Sequence, residues 1–204
     1  MGRYTGPKAR VNRRLGAQVY ENQGAIKAQQ RREQPPGMHA RAGRPSDYGM
    51  RLQEKQKIKH FYGLGERQLR RIFDIASRRP GNTGQTLLLL CERRLDNVIR
   101  RAGFTLTRPQ ARQAVVHGHF YVNGAKVDCP SYLVRPGDVI TVRPRENLTA
   151  LYRDRLAQET NTQVPTWIAV DQSQLSITVL GLPGPDDVSC PVTNVNFVTE
   201  FLSR

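Results

Sequence analysis

Apolar positions recur at helical spacing through the middle of the chain. Leu69, Ile72, Phe73 and Ala76 fall at i, i+3, i+4 and i+7, one face of a helix, and Arg67, Arg70, Arg71 and Arg78 lie off that face. Upstream, Ser46 is placed to cap a helix through Tyr48, Leu52 and Ile58 that carries Arg51, Lys55 and Lys59 at successive i,i+4 positions. Gly63-Leu64-Gly65 ends it. Beyond the break at Pro80-Gly81-Asn82-Thr83-Gly84, a third helical stretch turns Leu87, Leu88, Cys91, Leu95, Val98, Ile99 and Ala102 inward and stops before Gly103. Arg93, Arg94, Asn97, Arg100 and Arg101 are expected on its outer side.

A further helix begins at Thr107-Arg108-Pro109-Gln110, where Thr is the N-cap, Pro sits in the first turn and Gln lies three residues on. Ala111, Ala114 and Val115 are its apolar face, Arg108 and Arg112 lie on another, and Gly118 ends it in the left-handed conformation. The period then changes to two. Phe120-Tyr121-Val122 and Ala125-Lys126-Val127 flank Asn123-Gly124, a hairpin signal because both turn positions need positive φ. Pro136-Gly137-Asp138 turns the chain again before Val139-Ile140-Thr141-Val142. The pattern predicts an α+β protein: a helical N-terminal domain with a basic arm, and a small module of two helices packed on a short antiparallel sheet. In the last quarter, alternation around Trp167-Ile168-Ala169-Val170, Leu175-Ser176-Ile177-Thr178-Val179 and Val195-Asn196-Phe197-Val198 predicts a set of strands packing back on the N-terminal domain.

Charge turns this fold prediction toward a partner. The 204 residues carry 32 Lys+Arg against 17 Asp+Glu, a formal net charge of +15, and 26 of the cations are Arg. Arg grips phosphate bidentately and stacks on bases, whereas Lys is a compact point charge. Residues 1–60 hold 14 basic and 4 acidic residues, while 151–204 hold 3 and 6. The first three-quarters therefore face a polyanion, and the C-terminal piece is expected to face protein. Between residues 21 and 46 the only large aliphatic side chains are Ile26 and Met38, beside Pro35-Pro36-Gly37. Such a stretch buries too little apolar surface to offset its ordering entropy, and is expected to be a mobile basic arm that orders on nucleic acid. A compact Arg face on two short helices, with His117, His119 and Asn123 at the helix–strand junction, suits folded RNA better than a DNA major groove.

The catalytic alternatives are thin. Gly81-Asn82-Thr83-Gly84-Gln85-Thr86 lacks the Lys of a phosphate-binding loop. His117-Gly118-His119 has no carboxylate or thiol at ligand spacing, and Asp186-Asp187 follows Pro183-Gly184-Pro185 in what reads as a solvated turn. Cys91, Cys129 and Cys190 are odd in number and far apart, so neither a disulfide framework nor a zinc site is expected. The longest apolar run, Leu87 to Cys91, is far below a membrane span, and the N-terminus reads as neither secretory signal nor myristoylation site. An RNA-modifying enzyme would need a further catalytic domain, for which residues 147–204 leave little room. A free-standing binder of stalled ribosomes or a messenger regulator is the other alternative.

The motifs quoted next carry a resemblance that spans the chain. Arg93-Arg94-Leu95-Asp96-Asn97, Gly103-Phe104, Thr107-Arg108-Pro109-Gln110-Ala111-Arg112-Gln113, His117-Gly118-His119, Val122-Asn123-Gly124, Pro130-Ser131-Tyr132 and Pro136-Gly137-Asp138-Val139-Ile140 resemble the RNA-binding module of the bacterial small-subunit ribosomal protein four family. Arg3-Tyr4-Thr5-Gly6-Pro7-Lys8, Ser46-Asp47-Tyr48-Gly49, Glu54-Lys55-Gln56-Lys57, Tyr62-Gly63 and Glu66-Arg67-Gln68 resemble its N-terminal regions. Pro165-Thr166-Trp167 and the closing Val198 to Arg204 resemble its C-terminus.

The resemblance implies a non-enzymatic component of the small ribosomal subunit that binds its ribosomal RNA directly, nucleates assembly of the subunit body and contributes to translational accuracy. It implies cytoplasmic residence within the subunit, small-subunit proteins five and, functionally, twelve as neighbours, its own messenger as a further target, and neither membrane nor cofactor. By carry-over, the RNA-binding positions are Arg93, Arg94, Asn97, Arg100, Arg108, Arg112, His117 and His119 in the module. Their N-terminal counterparts are Arg3, Lys8, Arg10, Arg13, Arg14, Arg44, Tyr48, Arg51, Lys55, Lys57, Arg67 and Arg70. The implied organisation is a basic arm over 1–45, a helical domain over 46–92 completed by 158–204, and the RNA-binding module over 93–157. Some family members bind zinc through cysteines in the arm. This chain has no cysteine before Cys91 and reads as the zinc-free form, with residues 21–43 the divergent stretch.

Overall fold

The computed structural model describes residues 4–32, 34–38, 43, 45–158 and 163–203. The chain divides into two compact units, Met1–Leu88 with Ser189–Arg204, and Leu89–Val188.

The first unit is helical: α1 Lys8–Leu15, α2 Gln23–Arg31, α3 Asp47–Phe61, α4 Glu66–Ser77, the start of α5 Thr83–Glu92, and the C-terminal helix, α9 Val195–Leu202. Local signals set several of these ends. Ser46 Oγ accepts from Gly49 N–H at 3.2 Å, and Asn82 Oδ1 accepts from Gly84 N–H at 2.9 Å at the start of α5. A Cβ on Gly84 would meet Val195 Cγ1 at 2.5 Å, so the absent side chain is what lets α5 and α9 approach.

Within the expected basic arm, α1 and α2 pack together as a helical hairpin. Asn12, fully buried, donates through Nδ2 to Tyr20 C=O at 3.1 Å and accepts Tyr20 N–H on Oδ1 at 2.9 Å. Val11, Leu15, Val19, Tyr20 and Ala25 are buried around it. Most of these side chains lie before residue 21, outside the stretch whose aliphatic side chains were counted. Val195-Asn196-Phe197-Val198 is likewise helix, not strand. Asn194 Oδ1 caps α9 by accepting from Asn196 N–H at 3.0 Å, and α9 packs along α3.

The second unit holds the end of α5, then α6 Leu95–Arg101, α7 Arg108–Val116, β1 Phe120–Val122, β2 Ala125–Lys126, β3 Val139–Val142, α8 Glu146–Gln158, β4 Ile168–Asp171 and β5 Ser176–Val179. The strands form one antiparallel sheet in the order β2-β1-β3-β5-β4. Asn123 and Gly124 take φ of 50° and 79°, the conformations a two-residue hairpin needs. Leu95, Val98, Ile99, Phe104, Ala111, Val115, Phe120 and Ile140 form a core with Tyr152 and Leu156 of α8 and Trp167, Ile177 and Val179.

Two boundaries shift. β5 pairs with β3 through Ile140↔Ile177, so β4 and β5 complete the module's sheet rather than the helical domain, and Ser189–Arg204 return to the first unit. The third predicted helix is two. Arg94 is extended (φ −68°, ψ 139°) as the N-cap of α6, its backbone bridges to Leu133, and Leu95 N–H bonds Tyr132 C=O at 2.9 Å. Pairing with the 130–134 segment breaks the helical path between Glu92 and Leu95.

Candidate nucleic-acid interface

Twenty side chains are expected to contact RNA, and the structure divides them by accessibility. Arg10, Arg14, Tyr48, Arg67, Arg70 and His117 are exposed; Lys8, Arg13, Arg51, Arg93, Arg100, Arg112 and His119 are half-buried. Lys55, Lys57, Arg94, Asn97 and Arg108 are buried. Arg3 and Arg44 lie outside the described residues.

Each member of the buried group has a partner that explains its burial. Arg94, 2 % exposed, grips Asp96 through Nε–Oδ1 at 3.0 Å and Nη2–Oδ2 at 2.7 Å. Burial alone disfavours its charged form, but the Asp96 carboxylate reverses this and raises the guanidinium pKa. Arg112 Nη1 lies 3.7 Å from the same carboxylate. Asn97 links α6 to its flanks: Nδ2 donates to Glu92 C=O at 3.1 Å and to the Glu92 carboxylate, while Oδ1 accepts from Arg108 Nε at 2.9 Å. Arg93 donates to Val134 C=O at 2.9 Å and 3.1 Å. In the module, Glu92 and Asp96 thus hold polar side chains of α6, its N-cap and α7 in fixed positions.

The first unit repeats the pattern on α3. Lys55 Nζ sits 2.6 Å from Glu66 Oε1 and 4.7 Å from the centre of the Phe201 ring. Lys59 reaches the other Glu66 oxygen at 3.0 Å. Although burial pushes the Glu66 carboxyl up, hydrogen bonds from Lys55 and Lys59 outweigh it, and its pKa lies below the ordinary value. Lys57 donates to Glu54 at 2.6 Å, and Glu54 also accepts Thr193 N–H at 3.0 Å. Arg51 pairs with Glu200 of α9 at 2.9 Å. Arg51 and Lys55 thus tie α3 to α9, and Lys55 and Lys59 tie it to α4. The sequence placed Arg51, Lys55 and Lys59 on one helical stripe, and their carboxylates come from other helices, whereas Lys57 pairs within α3.

What stays accessible forms three groups. On α4, Arg67 and Arg70 are joined by Arg71, and Arg78 and Arg79 follow its end, all exposed. Only Arg67 and Arg70 were expected as contacts, although the apolar stripe already put Arg71 and Arg78 on the outer side. At the module's helix–strand junction, His117 is exposed and its ring meets His119 edge-on at 5.9 Å. His119 Nδ1 lies 2.9 Å from Tyr152 Oη. Burial, then the neighbouring His117, lowers the His119 pKa, so this ring favours the neutral form.

The third group lies between α1 and α2. A groove of about 560 Å³ is lined by Arg10, Arg13, Lys27, Arg31 and Arg32. A second hollow of about 390 Å³ shares Arg10, Arg13 and Arg32, and adds Arg14 with Pro35-Pro36-Gly37. No acidic side chain lines either one among the described residues. Sequence reasoning missed Lys27, Arg31 and Arg32 because their stretch diverges from the family; the signal was seven cations against the single Glu21 over residues 8–32.

No group of three or more His, Cys, Asp or Glu among the described residues is arranged to hold a metal ion. No helix of the described residues is long and apolar enough to cross a membrane.

Comparison with known proteins accounts for both units. The model of the ribosomal protein S4/S9 N-terminal domain matches residues 3–92, and that of the S4 domain matches residues 93–140. The chain is 61% identical to small ribosomal subunit protein uS4 of Rhodopirellula baltica over 204 residues, covering all of both chains. It is 49% identical to the protein of that name from Persephonella marina and 47% identical to that from Thermus thermophilus, again over the full length of each.

Proposed function

The chain belongs to the uS4 family of small ribosomal subunit proteins, and on that premise we propose that it is a primary binder of small-subunit ribosomal RNA that nucleates assembly of the subunit body and contributes to translational accuracy. It is a structural ribosomal component and not an enzyme. In this reading it works in the cytoplasm within the small subunit, beside protein five and in functional coupling with protein twelve, and its own messenger is a second RNA target.

The carrying observation is that accessible cations cluster on separate elements, while four carboxylates that could oppose a polyanion are engaged by neighbouring side chains. Asp96, Glu92, Glu54 and Glu66 are spent on internal pairs. Arg10, Arg14, Arg67, Arg70, Arg71 and His117 are left at the surface. A phosphate backbone gains charge-assisted contacts from such clusters and releases its counterions on binding. Of the expected contacts, the exposed and half-buried side chains are proposed to touch RNA. Lys55, Lys57, Arg94, Asn97 and Arg108 are proposed to hold them in place.

The test is direct binding of the purified chain to a small-subunit ribosomal RNA transcript across a salt series, with co-sedimentation with small subunits at moderate salt. Specific binding with a log–log salt slope of several units is expected, at ~0.7–0.9 per phosphate contact. Equal affinity for small- and large-subunit RNA would overturn the proposal.

A further inference from the structure

The α1–α2 hairpin carries a feature that a merely electrostatic arm does not need. Its two hollows adjoin and have the three guanidinium-bearing residues Arg10, Arg13 and Arg32 in common. The larger one, about 560 Å³, lies within the size range of small-ligand pockets and is far roomier than one phosphate requires. Between its cations it is lined by Pro7, Ala9, Gly24 and Ala28, which present no charge and no long side chain. The smaller one is lined in addition by Arg14 and Pro35-Pro36-Gly37. Gly24 leaves real room: a Cβ there would meet nothing nearer than Asn22 Nδ2 at 3.9 Å.

We infer that this paired groove takes two consecutive nucleotides of an unpaired RNA strand, one in each hollow, with the phosphate between them held by Arg10, Arg13 and Arg32. The inference rests on the ribosomal-RNA reading and adds to it a subsite and a preference for strand over duplex. Single-stranded RNA can splay its bases into such hollows while its backbone tracks the cations; an A-form duplex keeps its bases stacked and paired, so none can enter a hollow. Arg suits the shared position because its fork of donors can serve both oxygens of a phosphate at once.

A filling substitution separates this from long-range attraction, because it leaves every charge in place. Gly24→Leu projects a side chain into the larger hollow and, in the first turn of α2, favours the helix. In the full-length protein, with circular dichroism confirming the fold, it should weaken binding of a short oligouridylate and of the small-subunit RNA transcript by roughly 5- to 100-fold, the range reported per stacked base. The salt slope should change little. Ala28→Leu should do the same, while Arg13→Gln should weaken both and lower the slope by about one unit. An RNA duplex of the oligouridylate's length should compete poorly. If Gly24→Leu and Ala28→Leu both bind like wild type, or if duplex and single strand compete equally, the groove is only a charged surface and the inference fails. Failure of the wild-type chain to bind the transcript would instead sink the ribosomal-RNA reading.

Discussion

Arg94 and Asp96 form a two-pronged ion pair inside the module, at 3.0 and 2.7 Å, with both side chains out of solvent. A pair so enclosed gives little net stability over an apolar replacement, but removing one partner strands the other as a buried charge. Arg94→Ala is therefore expected to destabilise the second unit by about 3–5 kcal/mol. Arg94→Glu, facing Asp96 and Glu92, should prevent its folding. Arg112→Ala, on a side chain 3.7 Å from Asp96, should cost less stability and more RNA affinity. Urea unfolding of each variant, followed by RNA binding of those that fold, checks the ranking. Normal stability in Arg94→Ala would remove the pair from its proposed role.

The same distinction runs through α3 and α4. Lys57 is enclosed with Glu54, whereas Arg67 and Arg70 stand in solvent. Arg67→Gln and Arg70→Gln should each weaken RNA binding across sequences and reduce the salt slope by about one unit, with stability changed by less than about 0.5 kcal/mol. Lys57→Met should lower stability and leave the slope unchanged. Paired measurements of melting temperature and salt slope separate the two outcomes.

The contrast also marks how far the sequence could be read. Signals closed within a few residues were legible: the Ser46 and Thr107 caps, the Asn123-Gly124 hairpin, and the stripe of Leu69, Ile72, Phe73 and Ala76. Thr107 Oγ1 does accept Gln110 N–H, at 3.4 Å, although Gln110 reaches back to Leu106 N–H rather than to the cap itself. The burial of Arg94, Lys55 and Lys57 was not legible, because an Arg or Lys reads as exposed until its carboxylate is located. The partner of Lys55 is Glu66, on the next helix. The α1–α2 hairpin escaped notice because the apolar side chains it buries, Val11, Leu15 and Val19, are few and lie before the stretch that was read for them. In α9, four residues of alternation cannot separate strand from helix; Asn194 as cap decides it. The composition of the candidate interface was thus readable as Arg-rich, while which of its cations stay accessible depended on the pairing each side chain finds in the fold.

Asn123 carries two duties in the hairpin. It adopts φ 50°, and its side chain donates to Asp138 Oδ1 and accepts Val139 N–H, each at 2.9 Å. Asn123→Ala loses both bonds and places a Cβ residue in a left-handed turn without local compensation. A loss on the order of 2–3 kcal/mol is expected. Asn123→Gly should recover the backbone part and none of the hydrogen bonds, giving an intermediate melting temperature. Equal destabilisation by Ala and Gly would show that the turn conformation contributes nothing.

Two histidines should make stability depend on pH. His60, whose Nδ1 lies 3.1 Å from Tyr20 Oη, has its pKa lowered by burial and then by Lys59; His119 is lowered by burial and then by His117. A base whose folded pKa lies below its unfolded value of about 6.5 takes up its proton more readily when the chain unfolds. Stability is then complete above that unfolded value and falls as pH drops from about 6.5 toward the folded pKa. The acid Glu66 works lower on the scale, since its depressed pKa gives stability that is present above the ordinary carboxylate range and lost as pH falls through its folded value. Unfolding free energies measured between pH 8 and pH 5 should decline in wild type. They should decline less in His60→Gln and in His119→Gln, each of which removes one of the two titrations. A wild-type profile flat over that interval would mean that the buried rings protonate as freely in the folded chain as in the unfolded one.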